Sequence, residues 1–383
     1  MFANPFDDDE FAARLAALRA HMTALGLDLA LVSSPENVFW LTGLDHWGYF
    51  APHLLMVPIE RDAILVTRAM ERVSVDKQVR NARFEGHADT ETAADLAGRI
   101  LDSMVPRPRR IGIECWSSGL SHGFAERLRQ AVDGANWVDV TGLVDQLRLV
   151  KSPAEQALIR RAATVTDAAT EAAIAAIHDG ASERDVAAEC HAAMIRAGGH
   201  PPGFGPFIRP GARLGEEHAT WGEGRYCSGE PVFLELSGCV HRYHAPLGRL
   251  VHLGGISHGD AAMAEIARDA FGAVVSALRP GTTAGAVYQA WQDVVDAAGL
   301  SDYRRHHCGY AVGVGVPPSW TGGNSVVGLR AGSDMEIRAG MSFHVLSWLM
   351  GTGRGDYFLS NPVLLTDDGA EVLAATPFGP LVK

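Results

Sequence analysis

The sequence predicts an α+β protein: an N-terminal α/β domain followed by a larger domain of helix pairs and strands. Three observations carry this. Helical and strand-like segments alternate through the first 150 residues, which implies a sheet with helices packed on it. A helix-start signal stands at the junction, in LRLVKSPAE. Beyond it the order becomes helix pair, strands, helix pair, strands, the grammar of helices on one face of a mostly antiparallel sheet. The domains therefore read as 1–150 and 151–383.

Each element has a local reason. Phe11, Leu15, Leu18, Met22 and Leu25 recur at three- and four-residue steps, so residues 8–25 form a helix that Gly26 ends. LDLALVSS (27–34) is a buried strand, and ENVFWLTG (36–43) a short helix ending at Gly43. HLLMVPI and DAILVT are two strands joined by the charged turn ERD. A helix over 92–104, the strand RIGIEC (110–115), a helix over 120–132 and a short strand at Trp137 complete the first domain. At the junction Ser152 is an N-cap, Pro153 suits the first helical position, and Glu155 closes a capping box. A long Ala-rich helix then runs to about Ile177, and a second cap at Ser182 opens a helix to about Gly198. Residues 200–255 are rich in Gly, Pro and short strands; helices follow at 258–278 and 283–298, and strands with Gly-rich loops return after 305. This order hints at an internal duplication of about 100 residues.

Composition narrows the function. Apolar residues make up 47% and charged residues 20%, which excludes a mainly disordered chain or a collagen-like fibre. A net charge of −12 argues against a nucleic-acid partner, which needs a basic face. No apolar run approaches the roughly 20 residues that span a bilayer. The acidic start MFANPFDDDEF lacks a signal-peptide pattern, so a cytoplasmic protein with no membrane partner is expected. Cys115, Cys190, Cys227, Cys239 and Cys308 are odd in number and form no CxxC pair, which speaks against a disulfide framework or zinc ribbon.

The segment PVFLELSGCVHRYHAPLGRLVH (231–252) is the richest in chemistry. Val232, Leu234 and Leu236 face one side of a strand, and Phe233, Glu235 and Ser237 the other. Glu235 thus stands inside an apolar strand, where an unpaired carboxylate is costly and its pKa rises. It is a catalytic candidate; a strand-edge Glu paired with Arg is the plainer alternative. His218, in the polar loop GEEHATWGEG, is a candidate proton shuttle or simply a surface His. His241, His244, His306, His307 and His344 raise the question of a metal, but none has HExxH spacing and no nearby acid completes a ligand set. There is no GxSxG elbow and no phosphate-binding GxxxxGK[ST] loop. GVGVPP (313–318) lacks the dinucleotide pattern. The aromatic stretch DHWGYF (45–50) is core, or a cage for a small cationic or zwitterionic ligand.

KSPAEQALIRRAA, HATW, LELSGCVHRYHAPLGR, GYAVGVGVPPSW, LRAGSDMEIRAGMSFH and LLTDDGAEVL occur in this order along nearly the whole chain. Together they resemble the creatinase, aminopeptidase P and prolidase superfamily, the pita-bread fold. The resemblance implies a creatinase-like N-terminal α/β domain over 1–150 and a pita-bread catalytic domain of two related halves over 151–383. The superfamily's peptidases hold two metal ions with Asp, Asp, His, Glu and Glu. Matched one at a time, those positions fall on Glu235, Pro246, Tyr310, Leu346 and Asn361. Pro and Leu cannot bind a metal, and Tyr and Asn are poor substitutes. The resemblance therefore points to the metal-free members, with no metal and no cofactor.

Within that branch GCVHRYHAPLGR and GYAVGVGVPPSW resemble signatures of ectoine hydrolases more than of creatinases. That implies hydrolysis of a C–N bond in a small cyclic amidine, with His218 and Glu235 catalytic. A metal-dependent Xaa-Pro peptidase and an altered small-ligand-binding member are the competing readings. Expected substrate contacts are Trp47, Tyr49, Phe50, Phe204, Arg209, Tyr243, His244, Tyr310, His344 and Asn361. Arg209, Arg242 or Arg249 is expected to hold a substrate carboxylate. The resemblance also implies a homodimer in which Trp47, Tyr49 and Phe50 line the partner's pocket. The chain departs from the pattern at Asn361, at Ala245 and in SWLMGTGRGDY (347–357).

Overall fold

The computed structural model describes residues 4–383. The chain forms two compact units: the chain up to Arg148 with Gly322–Ser325, and Leu149–Thr321 with Val326–Lys383.

The first unit holds helices α1 (Asp8–Ala24), α2 (Pro35–Thr42), α3 (Arg72–Gln78), α4 (Ala93–Ser103), α5 (His122–Ala131) and α6 (Leu143–Leu147). Its strands are β1 (Leu29–Val32), β2 (Leu54–Pro58), β3 (Ala63–Arg68), β4 (Ala82–His87), β5 (Arg110–Ile113) and β6 (Asn136–Asp139). They form one sheet in the order β4-β3-β2-β1-β5-β6. The apolar run LALV of β1 is buried throughout because β1 is central, antiparallel to β2 and parallel to β5. The α1 periodicity buries Phe11, Leu15, Leu18 and Met22, while Leu25 caps the helix and is exposed. Sequence reasoning passed over α3 and β4. The edge strand β4 reads ARFEGH and is only partly buried, so it carries no apolar signature.

The second unit opens with α7 (Pro153–Ala176) and α8 (Glu183–Arg196), followed by β7 (Phe207–Pro210), β8 (Pro231–Val240) and β9 (Tyr243–His252). Then come α9 (His258–Ala277), α10 (Ala284–Ala297), β10 (Gly309–Ala311), β11 (Ser342–Leu349) and β12 (Tyr357–Thr366), with the short strands β13 (Gly369–Val372) and β14 (Leu381–Val382) last. The pattern of two helices, a short strand and two long strands occurs twice. The sheet order β10-β11-β12-β9-β8-β7 places the two triplets back to back at β9 and β12.

The capping box of α7 forms as read: Ser152 Oγ accepts from Glu155 N–H, and Glu155 accepts from Ser152 N–H. The short strands expected over 200–255 include a hairpin of two ten-residue strands, β8 and β9. Its two-residue turn is His241 and Arg242, with φ of 46° and 68°. Such left-handed turns usually carry Asn or Gly, so this one gave no turn signal. One face of the sheet packs on helices. A Cβ on Gly238 would stand 2.4 Å from Ala162 O and 2.8 Å from Thr166 N, both on α7. Trp291 of α10 donates to Ser347 Oγ on β11. Glu235 and Leu346, an odd number of residues from Gly238 and Ser347 along their strands, face the other way. Among the described residues no helix is long and apolar enough to cross a membrane.

Candidate active site

Glu235 lies inside the sheet, paired with Phe207 on β7 and Gly248 on β9. The same rung continues through Ser360 on β12 to Leu346 on β11. Gly248 keeps this rung open: a Cβ there would stand 2.1 Å from the Phe358 ring and 2.8 Å from Ser360 Oγ. A cavity of about 360 Å³ opens over this face of the second unit. Phe204, Phe207, Tyr310, Trp320, Leu346 and Trp348 give it apolar walls, with the buried Glu235 among them. Glu217, His218, Arg305, His306 and His307 also line it.

Burial pushes the Glu235 carboxyl up to about 7; the Arg209 charge opposes this and Glu217 adds to it. No described residue donates a hydrogen bond to it; the nearest partner is His344 Nε2, 4.0 Å from Oε1. His344 belongs to a chain of hydrogen bonds. Trp320 Nε1–H donates to Tyr310 Oη at 3.0 Å, and Tyr310 Oη lies 2.8 Å from His344 Nδ1. His344 Nε2 lies 2.6 Å from Ser360 Oγ. Burial holds His344 down to about 3, so the ring is neutral and carries one proton. The single imidazole proton stands on Nδ1, toward Tyr310, or on Nε2, toward Ser360 and Glu235, and the two hydroxyls can donate or accept to match either.

His218 and Glu235 line the same cavity, and Phe204 and Tyr310 stand in its wall. His218 is exposed, with its ring centroid 5.9 Å from Phe207 and 6.3 Å from Phe204. Five other expected contacts lie outside the lining, each hydrogen-bonded within the protein, with Arg209 Nε, His244 Nδ1 and Asn361 Nδ2 buried and unmatched. His344 sits behind Tyr310 in the chain just described. Tyr243 Oη donates to Glu155 at 2.7 Å, and His244 Nε2 accepts from Gly203 N–H at 2.8 Å. Asn361 Oδ1 accepts from Arg249 Nη2 at 2.9 Å. Arg209 donates to the carbonyls of Glu217, Ala219 and Leu214 and lies 3.9 Å over the Phe233 ring. It holds the loop that presents His218 rather than opening to a ligand. Arg249 is likewise buried, donating to carbonyls of Gly248, Ser360, Thr376 and Pro377. Arg242 sits in the β8–β9 turn. Trp47, Tyr49 and Phe50 belong to the first unit, where Tyr49 Oη donates to Leu44 O at 2.9 Å.

Sequence reasoning did not single out Phe207, Trp320, Trp348 or Arg305. Trp320 ends the GYAVGVGVPPSW signature and Trp348 stands in the divergent stretch that begins at the end of β11, so both were within reach. Arg305, in a loop with no signature, was not.

The donor set around Glu235 does not suit a metal pair. Among the described residues it belongs to no group of three His, Cys, Asp or Glu side chains whose ligating atoms converge within 4.8 Å. The rung partner Leu346 offers no ligand, and both nitrogens of His344 are engaged.

Comparison with known proteins agrees with this architecture. The model for metallopeptidase family M24 matches residues 157–367, and the creatinase/prolidase N-terminal domain matches 14–150. The chain is 26% identical to an uncharacterized hydrolase/peptidase of Sinorhizobium fredii, over 99% of this chain and 98% of that one. It is also 26% identical to the ectoine hydrolase of Halomonas elongata, over 99% and 98%. The structure of a Xaa-Pro dipeptidase from Bacillus anthracis superposes with a TM-score of 0.85 at 21% identity, covering 97% of this chain and all of that one. At that identity the superposition speaks for the fold alone.

Proposed function

The chain belongs to metallopeptidase family M24, with a creatinase/prolidase N-terminal domain, and from that premise we propose a metal-independent hydrolase that opens a small cyclic amidine of the ectoine type. One observation carries the reading. Where the family's peptidases bring five ligands together, this cavity offers a single buried carboxylate, Glu235, held near neutral pKa among aromatic walls, with the exposed Glu217 at its lining.

An amidinium carbon is electrophilic without a Lewis acid, so a well-placed base suffices. Glu235 takes a proton from water, and the water oxygen bonds to the amidinium carbon. The tetrahedral carbon then expels one ring nitrogen. The proton held by Glu235 passes to that nitrogen, with His218 as shuttle, as the C–N bond breaks, and the hydroxyl proton of the former tetrahedral carbon follows it to leave the amide carbonyl. One water is consumed, and an amide and an ammonium group are produced. The aromatic walls exclude bulk water and favour the cation. The working form is proposed to be a homodimer in which Trp47, Tyr49 and Phe50 of one copy complete the pocket of the other; Trp47 and Phe50 are 63% and 81% exposed.

The test is turnover of ectoine, hydroxyectoine, creatine and Gly-Pro by purified protein, with and without EDTA, followed by proton NMR. Ring opening of ectoine that EDTA leaves unchanged is expected. Cleavage of Gly-Pro abolished by EDTA would replace this reading with a metallopeptidase.

A further inference from the structure

Arg209 and Arg249, two candidates for a substrate carboxylate, are committed to backbone carbonyls. The guanidinium at the cavity belongs to Arg305, between α10 and β10, and among the described lining residues no other Arg or Lys occurs. Its backbone is fixed, because Tyr288 Oη donates to the Arg305 carbonyl at 2.7 Å. Its side chain is 22% exposed, and its Cζ lies 5.0 Å from the centre of the Trp348 ring. The nearest carboxylate, Glu217, is 3.8 Å away, too far for a hydrogen bond. Arg305 Nε is buried and has no hydrogen-bond partner. Arg209 Nε is likewise unmatched, so what sets Arg305 apart is its place in the cavity lining. A planar guanidinium stacked on an indole is suited to a carboxylate, which it can grip with two parallel bonds. The cavity thus offers a buried carboxylate among aromatic rings at one point and, at another, a guanidinium held only by a long ion pair to Glu217.

We infer that Arg305 binds the carboxylate of a zwitterionic substrate whose cationic ring lies against Glu235. The inference rests on the reading of Glu235 as the reacting group. It restricts the substrate class to amidines that bear an acid, and it makes Arg305 the specificity-determining residue.

The test compares ectoine with its decarboxylated ring analogue on the full-length protein, in the native form and as Arg305→Gln and Arg305→Lys. Two readouts are taken: kcat/KM, and quenching of tryptophan fluorescence, since Trp320 and Trp348 line the cavity. Arg305→Gln should lower the preference for ectoine over the analogue about ten- to hundredfold, mainly through KM. Arg305→Lys should restore part of it, as a point charge without the fork. An unchanged preference in Arg305→Gln would overturn the inference. If the native protein hydrolyses neither ring, the catalytic reading fails and the quenching titration decides alone. Tighter binding of ectoine that Arg305→Gln abolishes then upholds the Arg305 subsite; equal binding of the two rings, or none, removes it.

Discussion

Glu235 joins opposite demands on one residue. As a base it must ionise, and burial resists that, raising its carboxyl to about 7. On the proposed mechanism kcat/KM rises with pH through about 7 and levels off above it. A profile flat from about pH 5.5 to 8.5 would remove Glu235 as the base. The same residue weakens the fold. Its folded pKa lies above the ordinary 4.5, so the native state holds the proton more tightly than the unfolded chain does. Stability from this group is full at low pH and is lost as pH rises through 7, a loss on the order of 3 kcal/mol. Glu235→Gln should therefore abolish turnover, raise the urea midpoint at about pH 8.5, and change it little at about pH 5. A midpoint that falls at both pH values would mean that the carboxylate is better paired in solution than its surroundings suggest.

At the scale of elements, the site depends on how closely α7 approaches β8. Gly238 allows that approach, and Thr166 of α7 fixes it. Thr166 Oγ1 donates to Ala245 O at 2.7 Å and accepts from Gly238 N–H at 2.7 Å, tying helix to hairpin. Glu235 is three residues before Gly238 on the same strand, so a shift of β8 moves the carboxylate. Gly238→Ala should destabilise by about 1–3 kcal/mol through overpacking against the α7 backbone. It should also lower kcat more than a surface change of similar stability loss. Ser152→Ala supplies that comparison: it breaks the capping box at the far end of α7, costs about 1 kcal/mol, and should leave kcat/KM within a factor of two. If both variants lose activity alike, closeness of α7 to β8 is not what positions Glu235.

For the whole molecule, the division of labour in the sequence explains what could be read from it. Buried elements with strong periodicity or caps, such as α1, β1 and α7, were legible, and the repeated order of helices and strands in the second unit announced its two related halves. Glu235 was legible because a carboxylate inside PVFLELSG breaks the local rule. What could not be read depended on neighbours distant in the chain: the half-buried edge strand β4, the left-handed turn at His241 and Arg242, and the placing of Arg305 beside Trp348. Histidine burial belongs to that long-range kind, and it sets how the molecule meets acid. In the first unit burial holds His53 down to about 4. In the second it holds His244 and His307 down to about 4 and His344 to about 3, and it lowers His191, His252 and His306 as well. A neutral buried His takes its proton less readily than the unfolded chain, so its contribution is full above the ordinary 6.5 and is lost as pH falls from there toward the folded value. For His244 the loss approaches about 3 kcal/mol at the acid end. With these six described histidines in the second unit against His53 in the first, the second unit should loosen first as pH drops from about 6.5 to 4. Hydrogen exchange read by mass spectrometry, corrected for the intrinsic pH dependence, would show opening in β8, β11 and the segment around His307 while β1 and β5 stay protected. Loss of protection in the first unit at the higher pH would contradict that assignment, and would place the acid-sensitive groups among the carboxylate pairs of the N-terminal sheet instead.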